Sequence, residues 1–262
     1  MDLFIEFDGQ QLSLRTNVPD VHEYLADAFR HMLVPAASNS IGHIEFNETP
    51  DGYSLRSADS FNYAGVSLDE LLPLIKDEIR LQFMRARPDL LWMHAGAIER
   101  AGGALLLAGS SGQGKSTLTT YLCDHGWRFM SDDIAPVRMD TDRVIPFPQV
   151  PVRRLHPGRE VPVDELHKLE RESVEVMPDG LCRDEPEIHG IVFIKYVNGA
   201  ETKLVHLDQG SAAMEILKNA TNFFDHKDAA VARAVGLVTR VVMYRLAYNK
   251  PEEALEVLSG LW

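Results

Sequence analysis

Hydrophobic and polar positions alternate in several short segments near the start of the chain. Residues 2–7 and 11–15 alternate around Asp8-Gly9, which predicts a β-hairpin. The following patterns predict a helix at 21–33 and strands at 43–47 and 52–56.

A second amphipathic helix is predicted over residues 68–84. Ser67 precedes it as an N-cap, and Glu70 follows three residues later, as in a capping box. We interpret residues 1–88 as an N-terminal α+β accessory segment.

The pattern changes from Leu90 onwards. Residues 90–100 and 104–108 favour two consecutive strands around the Gly102-Gly103 turn, and the second is too apolar for a sheet with one solvated face. Further patterns indicate a helix at 116–126, strands at 127–130, 191–196 and 241–248, and a helix at 229–237. Residues 89–262 therefore predict an α/β core with a buried mixed sheet.

Composition and charge narrow the class of protein. The 262 residues are 45% hydrophobic and 25% charged, as in a globular protein. A net charge of −13 disfavours binding to nucleic acid or to an anionic membrane. Arg233, Arg240 and Arg245 interrupt the most apolar stretch, so we expect no membrane span. Two cysteines and an acidic start without a signal-peptide pattern predict a cytoplasmic protein.

The clearest motif runs from Gly109 to Ser116. GSSGQGKS fits G-x-x-x-x-G-K-[ST] and lies between a predicted strand and a predicted helix, as a phosphate-binding loop requires. Lys115 would bind the terminal phosphates and Ser116 would bind Mg²⁺. The residues expected to bind the nucleotide are Gly109, Ser110, Ser111, Gly112, Gln113, Gly114, Lys115, Ser116 and Thr117.

Two adjacent carboxylates, Asp132 and Asp133, follow the predicted strand at 127–130. One could hold Mg²⁺ while the other accepts the proton of an attacking hydroxyl. Adjacent strand residues point in opposite directions, so the two converge only if the chain turns there. His94 is expected in the strand before the loop strand. By itself, a strand histidine is more often structural.

The three elements together resemble the catalytic core of the HPr kinase/phosphorylase family. His94-Ala95-Gly96, GSSGQGKS from Gly109, and Ser131-Asp132-Asp133 follow the family's order and spacing. Ala95 interrupts the family's His-Gly pair, and Ser131 replaces an alanine. The likeness covers about residues 90–140.

The resemblance implies a PEP carboxykinase-like P-loop core that uses ATP and Mg²⁺ to phosphorylate a serine of a protein. It implies that Lys115 and Ser116 bind nucleotide and metal, that Asp132 and Asp133 are the metal-associated and basic carboxylates, and that His94 pairs with a carboxylate near the reacting hydroxyl. Glu187, in a Glu-Ile-His-Gly stretch, would assist the metal. Some relatives modify ribosomal peptides, so a precursor peptide is one candidate substrate, and some form rings, which leaves a homo-oligomer open.

Several alternatives stay open from the sequence. The acceptor could be a small molecule, or the chain could be a nucleotide-gated interaction protein without an acceptor. Residues 150–186 predict a long loop with a short helix at 163–170. Within it, residues 153–159 could contact a phosphate or an acidic substrate, or form a solvated basic loop. Which aspartate is the base, and whether a reverse phosphorylase reaction exists, stay undecided.

Overall fold

The computed structural model describes residues 1–36, 40–57, 62–155 and 171–262. In chain order the strands and helices are β1 (Asp2–Phe7), β2 (Gln10–Thr16), α1 (Pro19–Ala28), β3 (Gly42–Thr49), β4 (Gly52–Ser57), β5 (Asn62–Val66), α2 (Leu68–Ala86), β6 (Leu90–Met93), β7 (Ala95–Arg100), β8 (Gly103–Ala108), α3 (Lys115–Asp124), β9 (Arg128–Ser131), β10 (Ala135–Arg138), β11 (Val152–Arg154), β12 (Arg171–Ser173), a 3₁₀ turn (Pro178–Gly180), β13 (Glu187–Tyr196), β14 (Lys203–His206), α4 (Gln209–Asn219), α5 (Phe223–His226), α6 (Asp228–Arg240), β15 (Val242–Tyr248) and α7 (Pro251–Ser259).

The chain divides into two units. One comprises Met1–Arg87 with Val152–Ser173, and the other comprises Pro88–Pro151 with Val174–Trp262. The division predicted from the sequence, 1–88 and 89–262, differs from this one in that Val152–Ser173 groups with the first unit. The helix predicted at 163–170 lies outside the described residues.

The first unit contains a five-stranded sheet in the order β1-β2-β3-β4-β5, together with α1 and α2. Asp8 and Gly9 both have positive φ, 48° and 74°, as a tight hairpin turn between β1 and β2 requires. The predicted hairpin is therefore confirmed, as are the strands predicted at 43–47 and 52–56. The helix predicted at 21–33 ends early, at Ala28. Ser67 is the N-cap of α2, although its side chain makes no capping hydrogen bond.

The second unit is built on a six-stranded mixed sheet in the order β14-β15-β13-β8-β7-β9. Strands β15, β13 and β8 run parallel, and β9 runs in the same direction because both β8 and β9 are antiparallel to β7. Strand β14 pairs antiparallel with β15 at one edge. This arrangement confirms the mixed α/β class predicted for this part of the chain.

Both faces of this sheet are covered. Leu105 and Leu107 of β8 belong to one core cluster with residues of α3 and α7, whereas Leu106 belongs to another with residues of α4 and α6. The alternation follows from the two-residue period of a strand. It explains why β8 reads as an unbroken apolar run in the sequence.

The segment predicted as one strand over 90–100 is in fact two strands separated at His94. Strand β6 leaves the main sheet to pair antiparallel with β10, while β7 stays in the main sheet. The side chain of Asn222 holds β6 in place: its Nδ2 donates to the Leu90 carbonyl at 2.9 Å, and its Oδ1 accepts from the Trp92 amide at 3.0 Å. Within the described ranges, no helix has both the length and the apolar character needed to cross a lipid bilayer.

Candidate functional site

Three sequence-predicted elements meet at one edge of the six-stranded sheet. Ala95 at the start of β7 is the register partner of Ala108 at the end of β8, and Ala97 is the partner of Ser131 at the end of β9. The carboxyl ends of β8 and β9 and the amino end of β7 therefore share this edge. This alignment places His94, the loop after Ala108 and the two aspartates after Ser131 at the same edge of the sheet.

The loop between β8 and α3 depends on glycine at defined positions. A Cβ on Gly109 would lie 2.9 Å from the backbone oxygen of Ile194, which leaves no space for a side chain. Gly112 and Gly114 have φ of 82° and 84°, a region that favours glycine. A Cβ on Gly114 would also lie 2.2 Å from the Tyr248 hydroxyl. The loop is thus packed against the ends of β13 and β15.

Lys115, the first residue of α3, is 5% exposed, and its side chain returns to the loop. Its Nζ donates to the carbonyls of Gly109 at 2.8 Å and Ser110 at 3.2 Å, and to Nε2 of His94 at 2.9 Å. Burial lowers the pKa of the Lys115 ammonium, and the charges of Asp133 and Asp132 partly offset that lowering. A buried cation is therefore held where the loop enters the helix.

His94 links Lys115 to the aspartate turn. Its Nδ1 lies 3.0 Å from the backbone oxygen of Asp133, and a carbonyl can only accept, so Nδ1 carries the proton and Nε2 is left to accept from Lys115. The backbone amide of His94 donates to the Asn219 carbonyl at 2.7 Å, which fixes the residue at the end of α4.

The resemblance implies that His94 pairs with a carboxylate. Nδ1 of His94 donates to the backbone oxygen of Asp133 at 3.0 Å and lies 4.0 Å from Oδ1 of the Asp133 carboxylate, so the two side chains are close enough to pair. The catalytic role of this pair stays a prediction. His94 also lies at the break between β6 and β7 rather than within a strand.

The chain turns sharply at the two aspartates. Asp133 has φ of 76°, and the amide of Ile134 donates to the Asp132 carbonyl at 2.8 Å, an i to i+2 hydrogen bond that defines a γ-turn. Asp132 is 9% exposed, whereas the side chain of Asp133 is 42% exposed. The hydroxyl of Ser131 accepts from the Phe147 amide at 3.1 Å and anchors the start of the turn. The predicted turn is present, and it gives the two carboxylates different surroundings.

The remaining predicted residues divide into those at this edge and one that is elsewhere. Ser110, Ser111, Gly112 and Thr117 are exposed, and Gln113 and Ser116 are partly buried, all within the loop or the first turn of α3. Glu187 is paired with Gly103 at the opposite end of β8 and forms an ion pair with Arg143 at 2.9 Å. The structure therefore does not bring Glu187 to the site.

The donors for a metal are correspondingly few. Among the described residues, no group of three or more histidine, cysteine or acidic side chains could hold an ion. The proposed Mg²⁺ ligands that remain at this edge are the Ser116 hydroxyl and the Asp132 carboxylate. Both are hard oxygen donors, and Mg²⁺ commonly takes only one or two such groups beside phosphate and water.

The basic loop predicted at 153–159 is only partly described. Arg153 pairs with Glu172 across β11 and β12 of the first unit. Residues 156–159 lie outside the described residues.

Sequence reasoning missed Tyr248, a residue of β15 that contacts the loop. Its hydroxyl donates to the Gly114 carbonyl at 3.1 Å, and burial raises its pKa, which keeps it protonated as a donor. The one available signal was its place at the carboxyl end of a predicted strand, where α/β sheets bind ligands.

Comparison with known proteins finds a structural likeness but no match in sequence. No protein-family model matches the chain, and no curated protein matches it in sequence. A solved structure of the Hpr(Ser) kinase/phosphatase from Coxiella burnetii matches with 12% identity and a TM-score of 0.34, over 64% of this chain and 94% of that one. A likeness at that TM-score does not establish a shared fold.

Proposed function

We propose that this chain is an ATP- and Mg²⁺-dependent kinase that transfers the γ-phosphoryl group to a hydroxyl, most simply that of a serine in a protein or peptide. One observation carries the proposal. The lysine of a G-x-x-x-x-G-K-S loop, a neutral histidine and an aspartate turn form one hydrogen-bonded chain at a single sheet edge.

The loop supports the ATP assignment through its backbone. Gly109, Gly112 and Gly114 are required by packing or by φ, so amide groups can approach phosphate oxygens that a side chain would block. The Lys115 ammonium would exchange its carbonyl partners for phosphate oxygens when a triphosphate binds.

Magnesium fits the donors at this edge. Ser116 and Asp132 would hold it, and the bound ion would supply charge neutralisation along the β- and γ-phosphates. The low exposure of Asp132 favours a fixed ligand over a group that meets incoming substrate.

Asp133 suits the role of base. Its more exposed carboxylate would take the proton of the acceptor hydroxyl while the hydroxyl oxygen forms a bond to the γ-phosphorus and the bond from that phosphorus to the β–γ bridging oxygen breaks, releasing ADP. His94 would act as a positioning residue, since it contacts both the backbone of Asp133 and the ammonium of Lys115.

The test measures binding and transfer separately. Calorimetry with Mg²⁺ and ATP gives affinity, and γ-labelled ATP with a host lysate reveals a labelled acceptor. Asp133→Asn should keep ATP affinity within about threefold and lose transfer by about 100-fold or more, in the range of a removed general base. Asp124→Asn, at the exposed end of α3, is the matched control and should change neither.

Two results would contradict the proposal. Wild-type protein that binds no ATP in the presence of Mg²⁺ would exclude a nucleotide site. Tight ATP binding without a labelled protein, peptide or metabolite would favour the nucleotide-gated interaction protein, whereas a labelled metabolite alone would make the acceptor a small molecule.

A further inference from the structure

The position of the Lys115 ammonium relative to the loop strand β8 indicates in which direction a bound nucleotide would extend. Its Nζ reaches His94, next to β7, and the aspartates follow β9 beyond it. If the proposed function holds, the terminal phosphate faces β7 and β9. The rest of the nucleotide then extends across the loop toward the carboxyl ends of β13 and β15, on the other side of β8.

An aromatic residue lies at that position. Tyr196 ends β13 and is the register partner of Tyr248, which ends β15. Partners in neighbouring strands share a face of the sheet, and Tyr248 lies in the core cluster that contains Leu118 of α3. A Cβ on Gly114 would lie 3.7 Å from the Cβ of Tyr196, so the tyrosine borders the loop directly.

The ring of Tyr196 is both exposed and supported. It is 45% exposed, yet it packs edge-to-face against Tyr248 with centroids 5.8 Å apart and an interplanar angle of 77°. Tyr248 is itself fixed by its hydrogen bond to Gly114. A bound ring would therefore meet a platform whose orientation is set by the phosphate loop.

We infer that Tyr196 binds the nucleobase by stacking, and that this site prefers purine nucleotides. This inference rests on the proposed function and adds the base to it. Three strand spacings separate β9 from β13, about 14 Å. The β- and α-phosphates and the ribose lie between the γ-phosphorus and the base, so an extended nucleotide has a length comparable to that separation. A purine offers the larger face for stacking, hence the preference.

The experiment compares Mg²⁺-ATP with Mg²⁺-tripolyphosphate, which has the phosphates but no base. In Tyr196→Ala, ATP affinity should fall by about 5- to 150-fold, the range for one stacked base. Tripolyphosphate affinity should not change. The preference for ATP over CTP should also decrease.

Two further variants separate stacking from folding. Tyr196→Trp should keep ATP affinity, and its new indole should be quenched by ATP and not by tripolyphosphate. Tyr63→Ala, a change of a 40% exposed tyrosine in the first unit, is the control and should alter neither ligand.

Each outcome decides the inference. An equal loss for both ligands, or no loss for either, overturns it and leaves the proposed kinase intact. Failure of Tyr196→Trp to show ATP-specific quenching also overturns it, including when Tyr196→Ala does not fold. A wild-type protein that binds neither ligand overturns both the base site and the proposed function.

Discussion

The turn at Asp133 allows backbone strain to be separated from chemistry. Asp133 is not glycine, yet its φ is 76°. Replacing it by alanine or by glycine removes the carboxylate in both cases, and with it the same favourable charge near Lys115. The two variants then differ only in the Cβ at position 133. We expect both to lose phosphoryl transfer, and we expect Asp133→Gly to be the more stable.

The size of the difference follows from two opposing terms. A non-glycine residue in a sparsely populated backbone region destabilises the folded state by about 1–3 kcal/mol. Glycine avoids that strain, but its larger conformational entropy in the unfolded chain lowers the stability by about 0.5–1 kcal/mol. Asp133→Gly should therefore exceed Asp133→Ala in free energy of unfolding by about 1 kcal/mol. In the exposed interior of α6, Ala232→Gly should have the opposite sign and cost about 0.8–1 kcal/mol.

Urea unfolding followed by tryptophan fluorescence is the suitable assay. All three tryptophans, Trp92, Trp127 and Trp262, lie in the second unit, so the signal reports on the unit that contains Asp133. When the same variants are unfolded by heat, a difference of about 1 kcal/mol corresponds to a Tm shift of about 2–4 °C for a unit of this size. An Asp133→Gly variant no more stable than Asp133→Ala would refute the strain argument.

Two further predictions concern the loop. Burial lowers the pKa of Lys115, and the phosphates of ATP require the charged ammonium. The affinity for ATP should therefore fall as the pH rises through that lowered pKa. Calorimetry at a series of pH values checks this. Over the interval between the folded and unfolded pKa values, the free energy of unfolding should instead rise with pH, because the unfolded chain binds the proton more tightly; a stability that falls there would contradict the burial argument. Gly114→Ala should destabilise by about 2 kcal/mol or more, through its φ of 84° and the overlap with the Tyr248 hydroxyl. The cost should be smaller in a Tyr248→Phe background, and a double-mutant cycle with no coupling would show that the hydroxyl is not the obstacle.

Hydrophobic periodicity predicted most of the elements that position the site. The two-residue alternation predicted β1 and β2, and the apolar run predicted a strand β8 buried on both faces. Periodicity could not separate β6 from β7, because apolar residues continue on both sides of His94. The break is caused by distant partners, namely the pairing of β6 with β10 and the hydrogen bonds from Asn222.

The candidate site was predictable in its parts and not in its connections. Motif spacing and strand patterns predicted that Gly109–Ser116 and the two aspartates follow strand ends. The position of Glu187 could not be predicted in this way, because it depends on the register of β13 against β8. A parallel pairing that starts at Gly103 places Glu187 at the edge opposite the loop. The sequence carries no local signal for that register. The hydrogen bond from Lys115 to His94 depends equally on long-range pairing, because β7 and β8 must align at Ala95 and Ala108.

The edge that carries the motif holds both a buried charge and a strained backbone position. A lysine that is 5% exposed and an aspartate with positive φ both cost stability, while the sheet beneath them is covered on both faces by apolar side chains. Replacing Lys115 or Asp133 would relieve the burial or the strain, and it would also remove a group that the proposed reaction needs. Such a conflict between stability and chemistry is expected of a functional site.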